Sequence, residues 1–93
     1  MANKMTPETA EKQAIKDYLR IYGCFFYYNL AGIASFKGIP DLTVIDRRGQ
    51  VWQIEVKAGG KQSDYQKNFQ MEWEARGGKY ICGGLDEVAK QIK

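Results

Sequence analysis

Two periodicities divide the chain. From Thr6 onward, apolar residues recur at Ala10, Ala14, Ile15, Tyr18, Leu19 and Tyr22, the three-and-four spacing that lays one stripe along a helix. Thr6 is placed to cap that helix, Pro7 suits its first turn, and Gly23 stops it. The aromatic run "CFFYYN" that follows predicts a buried strand. "LAGIASFKGIP" has glycines and no period and is expected to be a loop, with residues 29 to 38 long enough to move and Phe36 available to rest against it. "DLTVID" and "QVWQIEVKA" then predict two strands, joined by Arg47-Arg48-Gly49, a three-residue hairpin turn whose glycine takes the positive-φ position. Ser63 and Gln66 form a capping box for a second helix, striped by Tyr65, Phe69 and Trp73 and ended by Gly77-Gly78. A last strand spans Lys79 to Gly83, and a short helix runs from Asp86 to Ile92. The order α-β-β-β-α-β-α predicts an α/β domain in which a small mixed sheet is flanked by helices.

The hairpin turn also sets a register. If Asp46 faces Gln50, then Ile45 faces Val51, Thr43 faces Gln53 and Asp41 faces Glu55. Directly opposed side chains have Cβ atoms roughly 4.5 to 5.5 Å apart, and like charges there destabilise the pair unless something positive lies between them. A divalent cation is the obvious candidate. Lys57 shares the face of Glu55, whereas Trp52, Ile54, Val56 and Ala58 alternate onto the core side.

Composition narrows the chemistry. A chain of 93 residues with 44% hydrophobic and 13% aromatic content is expected to form one globular domain, residues 1–93, with a single modest core. No apolar run approaches a membrane span and the first residues lack the apolar segment of a signal peptide, so a soluble, cytoplasmic protein is expected. The chain has no histidine, which excludes histidine-based nucleophilic triads and ordinary zinc sites. Acids, bases and metal ligands must then be Asp, Glu, Lys, Tyr or backbone oxygen, and hard oxygen ligands suit magnesium or manganese. Cys24 and Cys82 are expected to be buried and inert. Net charge is only +3, but six basic residues stand against four acids between Lys37 and Lys67, a balance compatible with an anionic partner.

"GIPDL" around Asp41, "IEVKA" around Glu55 and Lys57, and "YQKNF" around Gln66 together resemble the PD-(D/E)xK signature of virus-type replication-repair nuclease (VRR-NUC) domains, in the family's order and spacing over nearly the whole chain. The resemblance is to stand-alone phage and bacterial members, and it implies a restriction-endonuclease-like core and a magnesium-dependent, structure-selective DNA endonuclease, with manganese able to substitute. It further implies a homodimer that resolves four-way (Holliday) junctions. Asp41, Glu55 and the Val56 carbonyl would hold the metal, and Lys57 would orient the attacking water or neutralise phosphate charge. A helix-one glutamate also belongs to the family's site; Glu11 is the choice on its facing row and Glu8 the rival one turn earlier. Gln66 has two compatible roles, in the capping box and against water or phosphate. Lys37, Arg47, Arg48, Lys61 and Lys67 are the candidate phosphate contacts. The competing expectation is a module that keeps the fold and binds DNA or assembles without cutting. The presence of Asp41, Glu55, Lys57 and Gln66 together argues against it.

Overall fold

A computed structural model describes residues 6–32 and 35–93. The seven elements appear in the expected order: α1 (Pro7–Ile21), β1 (Phe25–Tyr28), β2 (Leu42–Ile45), β3 (Val51–Val56), α2 (Asp64–Ala75), β4 (Lys79–Gly83) and α3 (Leu85–Gln91). Their starts follow from capping chemistry. The Thr6 side chain accepts the Thr9 amide ahead of Pro7, and both halves of the Ser63–Gln66 box are formed. Gly49 has φ of 84°, as the hairpin turn requires.

The strands form one sheet in the order β1-β2-β3-β4. β1 with β2 and β2 with β3 are antiparallel, while β4 runs parallel to β3, because α2 carries the chain back along the sheet before β4 begins. Leu42, Val44, Ile54, Val56 and Ile81 project from one face into α1 and α3, where Ile15, Leu19, Val88 and Ile92 complete a core with essentially no solvent exposure. Each such side chain contributes about 1.5–3 kcal/mol by leaving water. That face anchors both outer helices.

The other face is divided. Over β4 it is covered by α2, whose Phe69 stacks on Trp73 and leans on Tyr80. The Trp73 indole donates to the Lys79 carbonyl at 2.8 Å. Toward β1 the face is open. β1 is therefore an edge strand and not the buried strand its aromatic content suggested: Phe25 is 66% exposed and Tyr27 52%. Aromatic residues predict strand geometry well, but which strand ends at the sheet's margin is set by pairing with distant segments. β3 is also shorter than expected, and Ala58 lies exposed beyond it rather than in the core. Among the described residues no helix is long and apolar enough to cross a membrane.

Candidate active site

The open end of the β2–β3 hairpin carries the acids. Pro40 has no N–H to give the ladder, so regular pairing stops there. At the next residue, the Asp41 amide donates to the Ile54 carbonyl at 3.0 Å. Its carboxylate Oδ2 then accepts the Val56 amide at 2.7 Å. A side chain has taken over where the backbone of β2 gives out. Two further constraints hold this corner. The Asn29 amide donates to the Asp41 carbonyl at 2.9 Å, and Asn29 Nδ2 donates both to the Pro40 carbonyl at 3.1 Å and to Gln53 Oε1 at 2.9 Å. Thr43 closes the network, donating to Asn29 Oδ1 and accepting from Gln53 Nε2. From the other side, Gly38 passes so close over the start of α2 that a Cβ there would lie 2.2 Å from the Tyr65 carbonyl oxygen. With φ of 84° as well, this position takes glycine.

The pairing of Thr43 with Gln53 and Leu42 with Ile54 is the expected register, and just beyond its last pair the Asp41 carboxyl lies within hydrogen-bonding reach of Glu55. Glu55 is only 5% exposed. Its carboxyl is pushed up to about 8, first by burial and then by the neighbouring Asp41 charge, with Lys57 opposing and Glu8 adding to the rise. Without a further cation the pair therefore holds a proton at neutral pH. A cation beside the pair would oppose that rise. Lys57 lies just beyond β3, half-buried, with its amide bonded to the Gly83 carbonyl at 3.0 Å.

A residue that sequence reasoning missed supplies such a charge. Lys12 Nζ lies 3.4 Å from Asp41 Oδ1 and 3.7 Å from Glu8 Oε2. Burial alone would lower its pKa, but Asp41 and Glu8 more than offset this and raise it, so Lys12 stays charged. The available signal was the helical spacing of Glu8 and Lys12, which many solvent-exposed helices share.

The structure separates the two helix-one glutamates. Glu11 Oε2 accepts the Leu85 amide at 2.8 Å, so this carboxylate binds the start of α3 and does not reach the acidic pair. Glu11 was the expected helix-one acid of the site; its row on α1 faces α3, which is why it meets Leu85. Glu8, the rival, is the one joined to Asp41 through Lys12. Gln66 is engaged in capping: its side-chain oxygen accepts the Ser63 amide at 2.8 Å. It stands beside Gly38, on the loop that delivers Asp41.

The candidate phosphate contacts fall into two groups. Lys37 lies over the Tyr65 ring at 5.0 Å, and Lys61 and Lys67 are exposed around the start of α2. Arg47 and Arg48 occupy the hairpin tip, six and seven residues from Asp41, so Arg47 lies about 20 Å away at the usual strand rise. They are not brought to the carboxylates. Cys24 and Cys82 are free and half-buried rather than fully buried, and burial raises both thiols away from the reactive thiolate.

The donor set fits a hard cation. Two neighbouring carboxylates, one of them kept protonated by burial and by the other's charge, suit magnesium or manganese, which accept one or two protein carboxylates and retain water. Among the described residues no third acidic, thiol or imidazole ligand joins them in a metal-binding cluster, so the protein's share of a cation's ligands would be Asp41, Glu55 and backbone oxygen.

Neither a family profile nor a curated protein matches the chain. A solved structure described as a VRR_NUC domain superposes with a TM-score of 0.83 at 24% sequence identity, covering 96% of this chain and 100% of that one. At that identity the likeness speaks for the backbone. The chain has the small mixed-sheet, restriction-endonuclease-like fold of a VRR_NUC domain.

Proposed function

We propose that the protein is a metal-dependent endonuclease that hydrolyses phosphodiester bonds in branched DNA, acting as a homodimer on four-way junctions. The observation that carries this reading is the opposition of Asp41 and Glu55 at the end of a hairpin, with Lys57 and Lys12 beside them and Glu55 pushed up to about 8 by burial and by Asp41. A bound cation relieves that conflict without undoing the fold.

Asp41 and Glu55 would hold magnesium, with the Val56 carbonyl as a third ligand by family likeness; when bound, the metal supplies positive charge to a phosphate and lowers the pKa of water. The protein's own residues do the rest. The Asn29 network and the Val56 amide keep Asp41 in one orientation, so little reorganisation accompanies metal and substrate binding. Burial of Glu55 excludes competing water from one side. Lys57 orients the attacking water or neutralises phosphate charge. Lys37, Lys61 and Lys67 provide phosphate contacts near the start of α2. A four-way junction has two-fold symmetry and needs two cuts, which a one-site chain supplies as a symmetric dimer.

The test is a nicking assay on four-way junction, flap and plain duplex substrates with magnesium, manganese or EDTA, paired with sedimentation of the protein–junction complex. Paired, metal-dependent cuts by a 2:1 complex are expected. Binding without cleavage in either metal would replace the nuclease reading with a DNA-binding module. Single nicks from a 1:1 complex would remove the junction-resolving part alone.

A further inference from the structure

Three cations form a row on α1 that the stretch from Lys37 to Lys67 gave no reason to look for. Lys12, Lys16 and Arg20 are spaced four residues apart, so they fall on nearly one face with about 6 Å of axial rise between neighbours. Each reaches a different feature of the sheet margin. The Arg20 guanidinium lies over the Phe26 ring at 5.5 Å, Lys16 Nζ over the Tyr28 ring at 5.2 Å, and Lys12 Nζ beside Asp41 at 3.4 Å. β1 proceeds from Phe26 through Tyr28 to Asn29, whose amide bonds to the Asp41 carbonyl. The row therefore follows the free margin of the sheet and ends at the acidic pair.

We infer that the Lys12–Lys16–Arg20 row, together with the uncovered edge of β1, is the track along which one strand of DNA enters the Asp41–Glu55 site. This rests on the nuclease reading and names the surface that serves it. The partner chemistry follows from three features: charges repeat at regular intervals, as phosphates do along a strand; exposed Tyr28 offers a ring to sugar or base; and the row terminates where a phosphodiester is to be cut. The acids nearby are Glu8, paired with Lys12, and Asp17, 3.4 Å from Arg20. The Arg20–Asp17 pair is exposed and the Lys12–Glu8 pair half-exposed, each worth about 0–1 kcal/mol, so phosphates displace them at small cost. An acidic peptide would match the charge but has no reason to end at a hydrolytic centre.

The variant Lys16→Gln/Arg20→Gln leaves Lys12 and the acidic pair in place. Its affinity for a four-way junction and for a single strand is measured by fluorescence anisotropy across a salt series, with calcium replacing magnesium to prevent cleavage. Each lost phosphate contact lowers the slope of log K against log salt by about 0.7–0.9. The slope is expected to fall by about 1.4–1.8, with affinity down about tenfold or more. The charge-conserving exchange Lys16→Arg/Arg20→Lys should restore both, and magnesium should raise the melting temperature of all three proteins equally. If wild type binds and cuts while Lys16→Gln/Arg20→Gln keeps its slope and affinity, the track is overturned and the nuclease reading stands. If wild type shows neither salt-dependent binding nor cleavage, the nuclease reading itself fails. A change in the variant's oligomeric state, with DNA affinity unaltered, would reassign the β1 edge to pairing with a second copy and also overturn the track.

Discussion

β2 has an aspartate at each end, and the two live differently. Asp46, at the turn, accepts hydrogen bonds from the Arg48 and Gln50 amides at 2.9 and 3.0 Å and from the Trp52 indole at 3.0 Å. Burial would raise its carboxyl, but those donors outweigh burial and hold it below the ordinary aspartate range. Asp41, at the open end, has the Val56 amide, a movable lysine and a second carboxyl for company. A carboxylate whose lone pairs are filled by fixed donors is a structural part of a turn. One that is held by a single amide beside another acid has binding capacity left over, and that difference separates a site from a scaffold.

The largest expected effect tests the open end. Asp41→Asn and Glu55→Gln should each lower cleavage at least about 100-fold. The metal-free melting temperature should stay level or rise, since one of two opposed acids is gone. Magnesium at about 100 times its dissociation constant should stabilise wild type by about 2.7 kcal/mol and do much less for either variant. Thermal melts in EDTA and in magnesium decide this; identical magnesium shifts in all three proteins would sink the metal site.

The turn end should answer in the opposite currency. Asp46→Ala strands the Trp52 indole and two amides, at a cost of about 1–3 kcal/mol, while the cleavage rate below the melting transition is preserved. The pH dependences are opposed too. Glu55 has a raised folded-state pKa, so its contribution to metal-free stability is full below its ordinary value of 4.5 and is lost as pH rises through about 8. Asp46 has a lowered one, so its contribution is present above the ordinary aspartate value of 3.8 and is lost on acidification. Urea melts of metal-free protein between pH 5 and 8 should show stability falling in wild type and a flatter profile in Glu55→Gln. A wild-type profile as flat as the variant's would contradict the proposed strain.

The smallest contrast lies on α1. Glu11→Ala should cost about 0.5–2 kcal/mol by leaving the start of α3 without its acceptor, with cleavage per folded molecule unchanged. Glu8→Gln should barely move the melting temperature, because an exposed ion pair is worth about 0–1 kcal/mol, and should slow cleavage. Reversal of the two phenotypes would return Glu11 to the site.

Much of the candidate site was legible before any coordinates because it is built from local chemistry. The turn glycine and the period-two alternation lead to the pairing of Thr43 with Gln53 and so to Asp41 facing Glu55. The Ser63–Gln66 box and the glycines after α1 and α2 mark helix ends through bonds to residues three or four positions away. The Asn29–Thr43–Gln53 network was not legible, since it joins three segments whose meeting depends on β1 and β3 flanking β2.

Element order, hairpin register and the opposition of the two acids were thus determined by the sequence alone, because backbone dihedral preferences and side-chain alternation act within a few residues. The place of β1 at the margin, the reach of Lys12 to Asp41 and the diversion of Glu11 to α3 were decided only in the tertiary structure. Each depends on which surfaces leave water together, and burial is a property of the assembled chain, carrying no fixed spacing along it.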